Sequence, residues 1–207
     1  MRRWPKLTDK NLLKARKVLF DVVDLLENEK IDYHLEGGTL LGLVRDKELL
    51  PWDHDVDLSI SIVDSERFAR KSWRFYLKGY KVSKHKFNKD IGAFKIGQYR
   101  IFKIKPIFLS LIINIFPYLK KFMVVADIFV KANDDKFTYW QAMDKIMRVD
   151  KKYYSGSETI EYLGIKFKAP SDYKDYLSEK YGDWKIPVKD WDCGRDEKTI
   201  VGDALKI

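Results

Sequence analysis

Three aspartates at alternate positions, Asp53, Asp55 and Asp57, are the residues of this sequence best suited to chemistry. Side chains two residues apart on a β-strand point to the same face, so a strand here would crowd like charges together. Carboxylates at such short separations repel one another, and burying them is costly unless a cation neutralises them. Carboxylate oxygens are the ligands that Mg²⁺ or Mn²⁺ prefers. The alternative is a solvated polar edge, where Asp is unusual because its strand propensity is low.

A further carboxylate, Asp127, stands alone in the apolar run from Met123 to Lys131. Both faces of a strand through this run would otherwise be apolar, which predicts a central strand. A charge inside such a strand needs a partner. A neighbouring strand that carries Asp55 and Asp57 would supply one through a shared metal ion. We therefore predict that Asp55, Asp57 and Asp127 form a metal site, with Asp127 as third ligand or general base.

A glycine pair precedes the acidic stretch. Gly37, Gly38 and Thr39 follow a short strand, and a helix is predicted to begin at Thr39. Free N–H groups at a helix N-terminus bind phosphate, and glycine permits close approach. The alternative is that the pair is only a turn. Arg45 could reach the same phosphate, or it could be a surface arginine, and Asp53 is expected to support the substrate site from just before the strand.

Several elements must position these residues. Apolar residues recur at helical spacing over residues 8–30, with Thr8 as a cap, and strict alternation over Asp55 to Ile62 predicts a strand. Three more helices are predicted, over Asp64 to Gly79, Trp140 to Val149 and Ser171 to Tyr181. No linker demands a boundary, so one domain over residues 1–207 is expected, with its core at 31–187.

Composition limits the function classes. Of the 207 residues 45% are apolar, which is enough for a real core and excludes global disorder. The single cysteine, Cys193, excludes an intrachain disulfide and a Cys-based zinc cluster. The formal charge of +9 favours anionic partners, although a lysine-rich soluble surface gives the same value. No apolar run of signal-peptide length follows the N-terminus, so a cytoplasmic protein is expected.

Two further stretches allow two interpretations each. The uncharged run Pro106 to Leu119 is too short to span a bilayer and is either core or an interfacial segment. Lys103, Lys105, Lys120 and Lys121 flank it and would attract anionic lipid, which would make the protein peripheral at the inner membrane face. The stretch Lys81 to Lys105, whose one acidic residue is Asp90, is either a solvated face or a surface that steers phosphorylated substrates.

The stretch "EGGTLLGLVRDKELLPWDHDVDLSI" resembles the signature of the LicD-type phosphotransferases, which include phosphocholine transferases and fukutin-related proteins. The matching residues are Gly38, Thr39, Leu40, Leu41, Gly42, Arg45, Pro51, Trp52, Asp53, Asp55 and Asp57. "ADIFV", "GIKFKAP" and "YLSEKYGDWKIP" are similar to later parts of the family pattern, so the resemblance covers most of residues 31–187. The family usually has an acidic residue where this chain has His54, which leaves Asp55 and Asp57 intact.

The resemblance implies a nucleotidyltransferase-like α/β (α+β) fold, a small mixed β-sheet flanked by helices with the site at one end. It implies metal-dependent transfer of a substituted phosphate, such as phosphocholine or an alditol phosphate, from a CDP-activated donor to a glycan or lipid-linked glycan hydroxyl. Nucleic acid is not expected as a partner. The first alternative is transfer of a nucleoside monophosphate from an NTP to a protein, an RNA or a small molecule. The second is a binding module without activity.

Overall fold

The structure is a computed structural model that describes residues 5–204. A mixed β-sheet lies at the centre of the structure, with the strand order β1-β2-β5-β6-β7-β10. Strand β5 also pairs with β4, and β4 pairs with β3. The strands are β1 (Tyr33–Leu35), β2 (Asp55–Ser61), β3 (Tyr80–Lys86), β4 (Tyr99–Pro106), β5 (Val125–Asn133), β6 (Phe137–Ala142), β7 (Lys145–Asp150), β8 (Ser157–Tyr162), β9 (Ile165–Pro170) and β10 (Ile200–Asp203). Strands β8 and β9 form a separate hairpin.

Helices flank this sheet, as the sequence predicts. They are α1 (Asp9–Asn28), α2 (Gly37–Arg45), α3 (Ile62–Lys71), α4 (Arg74–Leu77), α5 (Ile107–Ile112), α6 (Tyr173–Tyr181) and α7 (Cys193–Asp196). Short 3₁₀ helices lie at Pro117–Phe122 and Lys151–Tyr154. The predicted helices α1 and α6 are confirmed, and Thr8 is the residue that precedes α1. No helix among residues 5–204 has the length and apolar character that a membrane crossing requires.

Strands β2 and β5 pair in parallel, and this one pairing sets the geometry of the site. Val56, Leu58 and Ile60 alternate onto one face and are at most 1% exposed. The apolar side of α1 packs against β2 and β5. A fully buried Val or Leu side chain contributes about 1.5–3 kcal/mol relative to an exposed one. The aspartates of β2 are therefore held on the opposite face, away from α1.

Two predicted helices differ in the structure. The helix predicted over Trp140 to Val149 is wrong, because strands β6 and β7 form an antiparallel hairpin there. Met143 turns the chain with φ of 54°, and Trp140, Met147 and Val149 are buried. Short buried strands and buried helix segments look alike in an apolar sequence, which explains the error. The helix predicted over Asp64 to Gly79 is divided into α3 and α4. The first of them begins at Ile62, because the Ser61 side chain accepts from the N–H of Val63.

The run Pro106 to Leu119 does not enter the core. It forms α5 and the turn that leads to the 3₁₀ helix at Pro117–Phe122. Phe108 is 70% exposed, Leu111 67% and Ile115 71%. The core interpretation of this run is therefore wrong, because none of its side chains is buried and these three are mostly exposed.

Candidate active site

Asp55, Asp57 and Asp127 meet on one face of the sheet. Asp57 lies directly opposite Asp127 in the parallel pairing of β2 with β5, and Asp55 precedes Asp57 by two residues. One carboxylate oxygen from each lies within 4.8 Å of the other two. Asp127 is buried, whereas Asp55 and Asp57 retain partial exposure. The structure thus assembles the three aspartates in a cluster that is open to solvent on one side.

The electrostatics of this cluster are unfavourable without a cation. Burial, with the nearby charges of Asp53 and Asp127, raises the pKa of Asp55 to about 8. Burial, and then the charges of Asp55, Asp53 and Asp127, raise the pKa of Asp57 well above its usual range. Burial also raises the pKa of Asp127, although Lys103 opposes that shift. A bound divalent cation would favour the ionised carboxylates and reverse these shifts.

The donor set fits Mg²⁺ or Mn²⁺. Three carboxylates offer oxygen ligands of the kind that these ions bind. Asp127 Oδ2 accepts from Lys103 Nζ, but Asp127 Oδ1 is buried and has no hydrogen-bond partner. A buried acceptor without a partner is costly, and a ligand role for Oδ1 would remove that cost.

The glycine pair brings the start of α2 against the aspartates. Gly37 has φ of 53°, and a Cβ there would lie 2.4 Å from Asp57 Oδ2. A Cβ on Gly38 would lie 1.8 Å from Asp53 Oδ2. Only glycine permits this approach, and the positive end of the helix then faces carboxylates. The helix begins at Gly37, two residues earlier than predicted.

The Thr39 side chain supports β2. It is 1% exposed, and its Oγ1 accepts from the N–H of Asp57 at 2.8 Å. This bond fixes the backbone that carries the central carboxylate of the cluster. The side chain of Thr39 is therefore occupied by a structural contact, and phosphate binding by its backbone stays a prediction.

The remaining predicted residues lie around the cluster. The Arg45 guanidinium donates to both oxygens of Asp46, at 2.7 and 3.0 Å, and to the carbonyl of Trp184 at 3.2 Å. Asp53 Oδ1 accepts from the N–H of His54 at 2.9 Å. The His54 ring contacts the Pro5 carbonyl at 2.8 Å, in the segment that precedes α1. The substrate-binding roles of Arg45 and Asp53 stay predictions.

A second polar cluster on the same sheet face was not predicted from the sequence. Glu36 Oε1 lies 2.6 Å from Lys131 Nζ and accepts from Ser59 Oγ at 2.8 Å and Tyr154 Oη at 2.7 Å. Glu36 Oε2 accepts from Tyr176 Oη at 2.8 Å. Burial opposes ionisation, yet Lys131 and the nearby Lys180 lower the pKa of Glu36. Glu36 is thus a buried carboxylate with a full set of partners.

Lys103 is the other contact that the sequence reasoning missed. It lies opposite Asp127 in the antiparallel pairing of β4 with β5. The alternation of β4 places Lys103 and Lys105 on one face, and that much is readable from the sequence. Which strand β4 would join is not readable, because the pairing depends on contacts between distant segments.

Comparison with known proteins identifies a family. Residues 30–172 match the family model described as LicD/FKTN/FKRP, nucleotidyltransferase domain. The lipopolysaccharide cholinephosphotransferase LicD of Haemophilus influenzae is 46% identical over 62 residues, which cover 28% of this chain and 23% of that protein. The mouse ribitol-5-phosphate transferase FKTN is 27% identical over 184 residues, which cover 86% of this chain and 35% of that protein.

Other similarities cover shorter or more distant parts. The human ribitol 5-phosphate transferase FKRP is 51% identical over 43 residues, which cover 21% of this chain and 9% of that protein. These alignments take in about a third or less of each relative's length. The crystal structure of ANT(2″)-Ia with adenylyl-2″-tobramycin aligns with a TM-score of 0.41 at 12% identity, over 86% of this chain and 81% of that one.

Proposed function

The chain belongs to the LicD/FKTN/FKRP family, and on that premise we propose that it is a metal-dependent phosphotransferase. The proposed reaction moves a substituted phosphate from a CDP-activated donor to a glycan hydroxyl. Phosphocholine and ribitol phosphate are the favoured groups, because LicD and FKTN are named for transferring them. The observation that carries the proposal is the cluster of Asp55, Asp57 and Asp127, which lies within the matched residues.

The proposed reaction balances as a simple displacement. The acceptor oxygen forms a bond to the phosphorus that carries the substituent, the bond between the two phosphates breaks, and CMP leaves. Asp55, Asp57 and Asp127 would hold Mg²⁺ or Mn²⁺, which would supply positive charge to the phosphate oxygens. The N–H groups at the start of α2 would orient a phosphate, since the first turn of a helix leaves such donors unpaired.

The proton of the attacking hydroxyl needs an acceptor in the same place. Asp127 suits this role because its carboxylate lies in the same cluster as Asp55 and Asp57, where the phosphate and the attacking hydroxyl would meet. Its Oδ1 has no hydrogen-bond partner, while Lys103 holds Oδ2 and so fixes the orientation of the group. Asp127 is therefore proposed as a ligand that can also receive this proton.

Donor turnover tests the proposed function. The full chain is incubated with Mg²⁺ and CDP-choline, CDP-ribitol, CDP-glycerol or each of the four NTPs, and the released CMP or pyrophosphate is measured. We expect CMP from a CDP-linked donor, with no release in EDTA or from Asp57→Asn. Asp135→Asn, which changes an exposed carboxylate outside the cluster, should behave as wild type. Pyrophosphate from an NTP, with no CMP from the CDP donors, would replace the proposal by nucleoside monophosphate transfer.

Peripheral contact with a membrane is part of the proposal, because a lipid-linked glycan acceptor would lie at a bilayer surface. The apolar surface formed by Phe108, Leu111, Ile115 and Tyr118 supports it, since each of these side chains is at least 66% exposed. Exposed apolar patches commonly mark interaction sites. Lys120 and Lys121 follow the surface and carry the charge that anionic lipid attracts.

Vesicle co-sedimentation tests this contact. Wild type should bind phosphatidylglycerol-containing vesicles and release them as salt rises. Phe108→Ser with Ile115→Ser should release the protein while leaving it folded. The matched control is Val63→Ser with Leu77→Ser, because these apolar side chains are exposed on α3 and α4. Equal vesicle binding by both double variants would contradict the contact.

A further inference from the structure

Three lysines extend the site across the sheet on the face that carries the aspartates. Lys103 lies opposite Asp127, and Lys105 lies two residues further along β4, on the same face. Lys81 of β3 is paired directly with Lys105. We call Lys81, Lys103 and Lys105 the lysine strip. It begins one strand away from Asp127 and ends two strands away.

The strip carries positive charge that the protein itself does not balance. Among residues 5–204, Lys103 pairs with Asp127, whereas no carboxylate pairs with Lys81 or Lys105. Lys105 is partly buried, and burial with the nearby charges of Lys103, Lys81 and Lys120 lowers its pKa. Like charges directly opposite each other on paired strands are destabilising. An anion bound between the two lysines would relieve this repulsion.

His85 adds a second observation. It lies on β3 two positions beyond Ser83, so its side chain shares the face of Lys81. Its Nε2 is buried and has no hydrogen-bond partner. His85 pairs directly with Ile101, two residues from Lys103 on the same face, which places it beside the Lys103 end of the strip. Burial and then the charges of Arg100, Lys103 and Lys105 lower the pKa of His85. A ligand with oxygen acceptors at the strip would give this nitrogen a partner.

We infer that the lysine strip binds a phosphate group of the substrate other than the one at the aspartates. The inference rests on the proposed function, because it places a second phosphate beside the transferred one. Neighbouring strands are about 4.8 Å apart and two residues advance a strand by about 7 Å, so the Cα atoms of the strip lie roughly 5–12 Å from that of Asp127. That range fits the second phosphate of a CDP-linked donor, or a phosphate on the acceptor. Both are phosphate esters with the same oxygen chemistry, and lysine binds them as a point charge.

Binding of inorganic pyrophosphate without metal tests the strip alone. The full chain in EDTA is titrated by calorimetry, comparing wild type with Lys81→Gln/Lys105→Gln. The matched control is Lys136→Gln/Lys166→Gln, which removes two exposed lysines elsewhere. We expect the strip variant to bind about tenfold more weakly, the control to match wild type, and the wild-type affinity to fall with salt. Equal affinity in wild type and the strip variant, or an equal loss in the control, would overturn the inference.

Two competing probes identify the source of the phosphate. CDP represents the donor, and ribitol 5-phosphate represents a phosphorylated acceptor. If the donor occupies the strip, CDP displaces pyrophosphate from wild type and loses affinity in the strip variant. If the acceptor occupies it, ribitol 5-phosphate does so instead. Displacement by neither probe would overturn the inference.

Failure of the lysine strip to bind phosphate and failure of the proposed function give different experimental results. Pyrophosphate binding needs no turnover, so a failure of every CDP-linked donor would leave the strip measurement standing. Conversely, CMP release that is unchanged in the strip variant, at unchanged donor and acceptor KM, would remove the strip and leave the proposed reaction in place.

Discussion

Two polar clusters share one face of β2 and β5 and differ in how their charges are balanced. Glu36 and Lys131 form an oppositely charged pair, and three hydroxyl groups complete the partners of the carboxylate. Asp55, Asp57 and Asp127 place three carboxylates together, and Lys103 forms an ion pair with Asp127. Glu36 and Lys131 are 3% and 4% exposed, whereas the aspartate cluster is open on one side.

The difference separates a structural cluster from a binding site. A buried charge that has a partner and hydrogen bonds contributes to a defined fold, and removing its partner is strongly destabilising. A group of like charges contributes nothing to stability by itself and gains its balance from a ligand. On this account Glu36 holds the end of β1 in place, and the aspartates are suited to bind a cation.

The largest expected effect is a loss of stability when Lys131, the charged partner of Glu36, is removed. Lys131→Met should lower the free energy of unfolding by about 3–5 kcal/mol, because it leaves a buried carboxylate unpaired. Urea unfolding measures it. Glu36→Gln/Lys131→Met, which removes both charges, should recover much of that loss. A double variant as unstable as the single one would show that the charge pair is not the cause.

Changing Asp127 should affect the rate more than the fold. At saturating Mg²⁺, Asp127→Asn should lower kcat by about 10²-fold or more and raise the donor KM by a smaller factor, because a proton acceptor acts in the transition state. Steady-state kinetics with the active CDP donor measure both constants. A KM effect without a kcat effect would assign Asp127 to donor binding alone.

Thr39 is buried and holds the backbone of the aspartate cluster. Changing it should therefore lower both stability and turnover, to an intermediate degree. Thr39→Val leaves the buried N–H of Asp57 without its acceptor, which should cost about 1–3 kcal/mol of unfolding free energy and lower turnover. Thr138→Val is the control, because Thr138 is also buried and its hydroxyl bonds to Asn133 away from the cluster. Thr138→Val should lose stability and keep turnover. Equal turnover in both variants would show that the position of Asp57 does not depend on Thr39.

The smallest expected effect is a gain of stability. Asp55→Asn should raise the metal-free free energy of unfolding by about 1 kcal/mol, because its raised pKa means that ionisation is unfavourable in the folded protein. The measurement is urea unfolding in EDTA at a pH above 8, where wild type must ionise this group. Destabilisation by this substitution would mean that the Asp55 carboxylate is compensated in the metal-free protein.

The acidic strand and its apolar neighbour were predictable because their patterns are local. The alternating pattern predicted β2, and the run that is apolar on both faces predicted β5 with Asp127 in its middle. The convergence of the aspartates followed from the cost of isolated charge. The hairpin at Trp140 to Val149 was missed because its apolar residues fit either a helix or two short strands.

The balanced cluster could not be predicted for a different reason. Glu36 lies beside the glycine pair and looks like a surface residue in the sequence. Its partners Tyr154 and Tyr176 are 118 and 140 positions away, and nothing local selects them. Lys103 is similar, because only the pairing of β4 with β5 places it on Asp127. Contacts of this kind depend on topology.

Metal binding tests the central claim most directly. Mn²⁺ is titrated by calorimetry into the metal-free full chain, into Asp57→Asn, and into Asp135→Asn as the exposed control. The account predicts saturable Mn²⁺ binding in wild type and the control, and its loss in Asp57→Asn, because one of three clustered carboxylates has been removed. Absence of saturable binding to wild type, or binding that Asp57→Asn leaves unchanged, would contradict the claim that these aspartates form a cation site.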